Sequence, residues 1–137
     1  MLNIKLAGLE VAVAFVSEIH YRNVVAQSTG VAEYIEISVA PADLSRLSDF
    51  TLATYQSDGT MARSFNLGGM VGTVDSATGW TLFRITTPTT DPDHTTGHNE
   101  AEALAFIDAQ AIPRVQSFLD IGGGTTGILA MDGPAVG

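Results

Sequence analysis

The sequence predicts an α+β domain in which an antiparallel β-meander is followed by a pair of helices. Short β-branched and aromatic segments, separated by glycine-containing turns, fill residues 1–90. Residues 99–121 instead repeat apolar residues at three- and four-residue steps, which is typical of helices. The length of 137 residues suits a single domain with one core. We therefore expect one domain over 1–137, with a glycine-rich tail at 122–137.

The first strands are predicted at Val11–Val16 and Tyr34–Val39. The second of these alternates Ile35, Ile37 and Val39 with polar residues at a two-residue period. Such alternation indicates a strand with one buried face and one face in water.

A β-hairpin is predicted around Asp58-Gly59, because both residues tolerate the positive φ of a tight turn. Its strands are Phe50–Ser57 and Met61–Asn66. The meander then continues with a bend at Gly68-Gly69, a second turn at Asp75–Gly79 and a last strand at Trp80–Thr87.

The helical segment is predicted to begin at Asn99, an N-cap residue with Glu102 three positions later. Pro113 predicts a kink or a second helix that starts near it, and Gly122–Gly124 ends the segment. Its apolar stripe is the predicted dimer interface and consists of Leu104, Ile107, Ala111, Val115, Phe118 and Leu119.

Charge is scarce and mostly negative, with 15% charged residues and a net charge of −9. The negative charge excludes a protein that binds nucleic acid over a wholly basic surface. Because few charges are available to solvate the surface, we expect an obligate oligomer. The chain has no cysteine, which excludes disulfides and thiolate chemistry. No apolar run is long enough for a spanning helix, and Glu10 interrupts the first apolar segment, so we expect a soluble protein without a signal peptide.

The middle block, residues 61–90, is the part of the chain without a negative balance, since it carries Arg63 and Arg84 against a single acid. A polyanion would therefore meet the protein there. Thr51 and Tyr55 lie on a hydroxyl-rich face of the neighbouring strand and can add polar and stacking contacts. These four residues are the predicted RNA contacts, and so few cations predict weak binding.

The order of elements resembles the coat proteins of single-stranded RNA bacteriophages. The segments that carry the resemblance are GVAEY at 30–34, the hairpin strands at 50–66, the strand GWTLFRITTP at 79–88 and the stretch 111–137. The resemblance implies an N-terminal hairpin, a meander and two helices that cross onto the partner's sheet in an intertwined dimer. It also implies a shell around RNA and location in the virion, with assembly in the cytoplasm of the host bacterium. Members of that family place more lysine and arginine on the sheet than this chain does.

Other chemistries have weaker signals. His94 and His98, among the acids of Asp91–Glu100, have a spacing that zinc ligands use, but such a polar loop before a helix needs no metal. The glycine-rich run DIGGGTT at 120–126 resembles a phosphate-binding turn of actin-like ATPases, a fold that needs two large domains. No serine lies in the G-x-S-x-G pattern of a nucleophile elbow, and His20 is a lone histidine beside Tyr21 and Arg22. The sequence therefore offers no set of catalytic residues.

We therefore expect a coat protein with no enzymatic activity, no metal and no cofactor. It would form an obligate homodimer and then an icosahedral shell around RNA, away from membranes. The alternative is a small dimeric α+β protein that binds a ligand between sheet and helix and forms no shell.

Overall fold

The computed structural model describes residues 13–20, 34–86, 103–121 and 127–136. These residues form two four-stranded antiparallel sheets. The strands are β1 Ala14–His20, β2 Tyr34–Val39, β3 Phe50–Tyr55, β4 Met61–Asn66, β5 Thr73–Val74, β6 Thr81–Ile85, β7 Ala103–Asp108 and β8 Val115–Asp120. Two 3-10 segments, Pro41–Asp49 and Leu67–Gly69, join strands of different sheets.

The two sheets pack face to face as a sandwich. The strand order is β1-β2-β6-β5 in the first sheet and β4-β3-β7-β8 in the second. Side chains from both sheets meet in one core, which includes Ile37 and Phe83 from the first sheet and Phe50, Leu52 and Phe106 from the second. Alternate residues of β2 and β6 therefore point to opposite faces of their sheet, as the period of two predicts.

The predicted antiparallel strands are confirmed, but the prediction of a single meander is wrong, because the two 3-10 segments carry the chain from one sheet to the other and β2 pairs with β1 and β6. β2 has the predicted limits Tyr34–Val39, and β3 and β4 pair around the predicted turn, where Gly59 has φ +85°. The turn at residues 75–79 also forms, with Gly79 at φ +76° and its N–H donating to Asp75 O at 2.7 Å. The predicted bend at Gly68-Gly69 lies in the second 3-10 segment.

The helical prediction over 99–121 is wrong for the residues that the structure describes there. Ala103–Asp108 and Val115–Asp120 are two strands, β7 and β8, that pair with each other. β7 lies between β3 and β8 and is buried on both faces, so its sequence is a continuous apolar run rather than an alternation. Such a run fits a helix as well as a strand when only periodicity is considered. Pro113 lies in the connection between the two strands, after a cis peptide bond.

In the described part of the chain, each of the four edge strands carries a feature that disfavours pairing with a further strand. In β1, β4 and β8 one residue of the strand is skipped by the pairing register, namely Ser17, Ala62 and Gln116. The fourth edge strand, β5, has only two residues. Bulges and very short strands are common protections of exposed edges.

The outer face of the second sheet is covered by the end of the same chain. Ile128, Ala130 and Ala135 pack on a second apolar cluster that contains Ala53, Tyr55, Ala103, Ala105 and Ile107. The predicted glycine-rich tail is therefore, over residues 127–136, a third layer on the sandwich. Its start at 122–126 lies outside the described residues.

Candidate functional site

A polar cluster lies on the outer face of the first sheet, where β2 and β6 turn their polar residues away from the core. Glu36 and Arg84 are cross-strand partners, and Arg84 Nε donates to Glu36 Oε2 at 2.9 Å. Ser17 Oγ donates to Glu36 Oε1 at 3.1 Å. The Arg84 guanidinium stacks over the ring of Tyr34, 4.3 Å from its centroid.

The electrostatics of this cluster leave a cation in contact with solvent. The Glu36 side chain is nearly buried, whereas that of Arg84 is 58% exposed. The hydrogen bond to Glu36 raises the pKa of Arg84, so the guanidinium stays charged. Burial, and then a hydrogen bond with Glu18, raises the pKa of Tyr34, which stays neutral. Because the carboxylates of Glu36 and Glu18 both lie beside this one guanidinium, the cluster carries more negative than positive charge, and only the exposed side of Arg84 is available to an anion.

The four predicted RNA contacts are not brought together. Arg84 lies on β6 of the first sheet, whereas Arg63 is exposed on β4 of the second. Thr51 accepts a hydrogen bond from Asn66 Nδ2 at 3.2 Å. Tyr55 is fully buried, with its hydroxyl accepting from the Ala135 N–H at 3.1 Å and its ring 5.6 Å from that of Phe118. A base cannot stack on Tyr55 while the tail covers it.

The six predicted interface residues also lie in different places, because the segment is two strands. Leu104 is fully buried in the core between the sheets, and Ile107, Val115 and Phe118 belong to the outer cluster under the tail. Ala111 lies between β7 and β8, and Leu119 is 38% exposed. Leu104 is buried by residues of its own chain, so its burial does not require a partner subunit.

An ion-pair network that the sequence did not indicate links the first 3-10 segment to the end of β7. Arg46 donates to both oxygens of Asp108, at 3.0 and 2.6 Å, and also to Asp43 and Asp49. Its guanidinium carbon lies 4.6 Å from the centroid of the Phe50 ring. Because all three carboxylates are satisfied by one arginine, this cluster holds the segment in place and is structural.

Among the described residues, four exposed aliphatic residues lie at the end of the sandwich that carries Pro41–Asp49; Leu44, on that segment itself, is 37% exposed, and the other three are more exposed. Val71 is 97% exposed, Ile112 is 94% exposed and Val74 is also well exposed. We call these three residues the head surface.

The loops of the head surface are held to the same segment. Asn66, before the Val71 loop, donates through Nδ2 to Ser48 O at 2.8 Å, and Ala109, before Ile112, donates through N–H to Asp49 O at 2.9 Å. Val74 pairs with Thr81, which itself pairs with Val39 just before the segment. Aliphatic side chains at this exposure would be buried if another molecule covered this end of the sandwich. In the sequence their signal is weak: Val71 follows Met70 in a pair flanked by glycines, Ile112 precedes Pro113, and Val74 has no such neighbour.

Several predicted features lie outside the described residues. They are the loop Asp91–Glu100 with His94 and His98, the predicted N-cap Asn99 with Glu102, and the glycines at 122–124. Within the residues that the structure describes, no three histidine, aspartate or glutamate side chains are grouped so as to hold a metal ion. No helix in the described part of the chain is long and apolar enough to cross a membrane.

Comparison with protein-family models, with curated proteins and with solved structures found no match to the chain.

Proposed function

We propose that this protein is a structural subunit that associates with copies of itself into a closed shell, with single-stranded RNA as the cargo. The observation that carries the proposal is the head surface, where Val71 and Ile112 are almost completely exposed in loops anchored to one segment. Burying one such side chain against a partner contributes about 1.5–3 kcal/mol. Several contacts of this size around each subunit sum to a stable particle.

Two further properties support self-association through the ends of the sandwich. Only 15% of the residues are charged, so a large part of the surface is solvated poorly. The bulges and the short β5 block the sheet edges. This proposal rests on the surface and not on the helix pair of the phage coat proteins, since strands occupy those positions here.

The RNA part of the proposal rests on Arg63 and Arg84. Both guanidinium groups are exposed, and Arg84 stands beside an aromatic ring. With two such cations and a net charge of −9, the chain would hold RNA weakly, and protein contacts would drive assembly.

The test is to purify the protein from a bacterial host and measure its mass by light scattering and its shape by electron microscopy. We expect particles far larger than the 14.3 kDa chain, with an absorbance ratio at 260 and 280 nm that shows nucleic acid. Arg63→Ala is expected to lower that ratio, with Ser64→Ala on the same strand as the control. A monomer or a fixed small oligomer would contradict the shell and favour the ligand-binding alternative, and particles of unchanged RNA content would remove Arg63 from the RNA contacts.

A further inference from the structure

The outer face of the second sheet has a floor of alanines. Ala53 on β3 and Ala103 and Ala105 on β7 point to this face, where Ala53 and Ala105 are cross-strand partners. Tyr55 and Phe118 stand beside these alanines, with their rings 5.6 Å apart. Because the alanine side chain is short, a segment laid over the three alanines can approach the sheet closely. We call these five residues the alanine face.

The tail lies on the alanine face and begins there as an extended segment. Ile128 and Ala130 are half-buried against the face, whereas the alternate residues Leu129 and Met131 are exposed. A period of two is that of an extended chain with one side covered. Farther along, Ala135 packs on the same cluster. The tail therefore fits the face through a branched side chain and small side chains.

The polar contacts between the tail and the sheet mostly use the backbone of the tail. Three of its N–H groups donate to acceptors below it: Ala135 to the Tyr55 hydroxyl at 3.1 Å, Ile128 to Asp120 Oδ2 at 3.3 Å, and Met131 to Gly59 O at 2.8 Å. Every residue except proline has such an N–H group, so these contacts do not require the sequence of the tail. The half-buried side chains supply the specificity, as in other sites that recognise extended peptides.

The tail can leave the alanine face without breaking either sheet. In the described part of the chain, the tail pairs in a ladder with no strand of the two sheets. Seven of its ten residues are exposed and the other three are half-buried. Segments with few buried contacts open at a lower free energy than the fold as a whole. Opening would uncover Ala53, Tyr55 and Ala105, which are fully buried while the tail is in place.

We propose that the alanine face is a binding site for an extended peptide of a partner protein, and that the tail is a displaceable strap over this site. The peptide carries a branched aliphatic residue followed two positions later by alanine, the pattern with which Ile128 and Ala130 occupy the face. Because the peptide binds only when the tail is open, the tail lowers the apparent affinity by the fraction of open molecules. This site does not depend on the shell proposed above.

The test uses full-length variants that weaken the fit of the tail and leave the alanine face unchanged. The released variant is Ile128→Asp/Ala130→Asp, which places two carboxylates against apolar residues. The matched control is Leu129→Asp/Met131→Asp, which adds the same charge at the exposed alternate positions. The probe is a fluorescently labelled peptide with the sequence of residues 127–136, and its binding is measured by anisotropy.

We expect the released variant to bind the peptide more tightly than the parent protein and the control do, by about tenfold or more. A peptide that carries the two aspartate changes is expected not to bind. Tyr55→Phe, added to the released variant, removes the acceptor of one backbone N–H and is expected to weaken binding about threefold to tenfold. Faster amide exchange at Ala135, with an unchanged circular dichroism spectrum, verifies an open tail on a folded sandwich.

An open tail without peptide binding would overturn the proposal. Equal binding by the parent protein would also overturn it, because the tail would then not occupy the site. Unlabelled parent protein, added as a competitor, is expected to leave the bound peptide in place, and displacement would show that tails bind other copies, which overturns the intramolecular strap. If the released variant does not fold, Asp132→Ala removes the contact with the Met61 N–H from an exposed side chain. Asp132→Ala is expected to bind the peptide more tightly than the parent protein, and equal binding would contradict the proposal.

Discussion

The predicted helix and the observed strands imply different burial for Leu104 relative to Leu119. On the predicted helix, Leu104 and Leu119 would share one apolar stripe, but in the structure Leu104 is fully buried between the sheets and Leu119 is 38% exposed at an edge. Leu104→Ala is therefore expected to lower the free energy of unfolding by about 2–5 kcal/mol, the usual range for a buried leucine. Leu119→Ala is expected to lower it by clearly less. Urea denaturation of both variants checks this, and equal losses would contradict the strand assignment.

Asp108 makes the stability of the fold depend on pH. Burial alone would raise the pKa of Asp108, but hydrogen bonds from the Arg46 side chain and the Gln110 N–H outweigh it and hold the pKa below its usual value. Such a carboxylate stabilises the folded state above about pH 4, and the contribution disappears as the pH falls through the lower, folded-state pKa. We expect the free energy of unfolding of Asp108→Asn to change less with pH, between about pH 5 and pH 2, than that of the parent protein. Denaturation at several pH values in this range measures it.

A second variant, at Arg46, tests the same ion-pair network by unfolding as a function of pH. Arg46→Met keeps an apolar stem against Phe50 but leaves Asp43, Asp49 and Asp108 without their shared cation. Removing one partner of a largely buried ion pair costs about 3–5 kcal/mol. A pH dependence in either variant as steep as that of the parent protein would show that the network does not stabilise the fold.

At the scale of elements, the β3–β4 turn and the tail depend on each other. Gly59 and Gly79 both have positive φ, but a side chain on Gly79 meets open space, whereas one on Gly59 would meet Leu129 O. Gly79→Ala is therefore expected to cost about 1 kcal/mol, the conformational penalty alone. Gly59→Ala is expected to cost more and to free the tail.

Chemical denaturation and amide hydrogen exchange check the two glycine variants. In Gly59→Ala, faster exchange of the Met131 N–H, which donates to Gly59 O, would report the loss of the tail contact. Unchanged exchange there, together with equal losses of stability in the two variants, would contradict a tail that is fixed through this turn.

The elements differ in how far the sequence predicts them. β2 and the β3–β4 hairpin were predicted with their turns because their alternation and the Asp58-Gly59 pair are local signals. β7 was not predicted, because a strand buried on both faces has no alternation, and alanine and leucine also favour helices. β7 is a strand because it pairs with β3 and β8. β3 is distant from it in the sequence and β8 comes after it, so neither pairing can be recognised from the residues of β7 alone.

At the scale of the whole molecule, contacts between residues that are distant in the sequence decide which of the predicted site residues come together. Arg84 was identified by its place in the least acidic block, but its partner Glu36 lies on a strand 48 residues away and is set by sheet pairing. Tyr55 is predicted on the hydroxyl-rich face of its strand with Thr51, where it could contact RNA, but residues of the tail, which cover it, join it from 80 residues away. Exposure of a side chain on a sheet depends on what packs over that face, which strand periodicity does not report.

The sequence by itself therefore determined the antiparallel sheet, its local turns, the charge balance and the absence of cysteine chemistry. These follow from composition and from interactions between residues close along the chain. The tertiary structure alone decided that Ala103–Asp108 and Val115–Asp120 are strands, that the sheets pack as a sandwich, and that residues 127–136 cover the outer face of the second sheet. Each of these depends on contacts between residues far apart along the chain, whose energies outweigh the local preferences of the segments that make them.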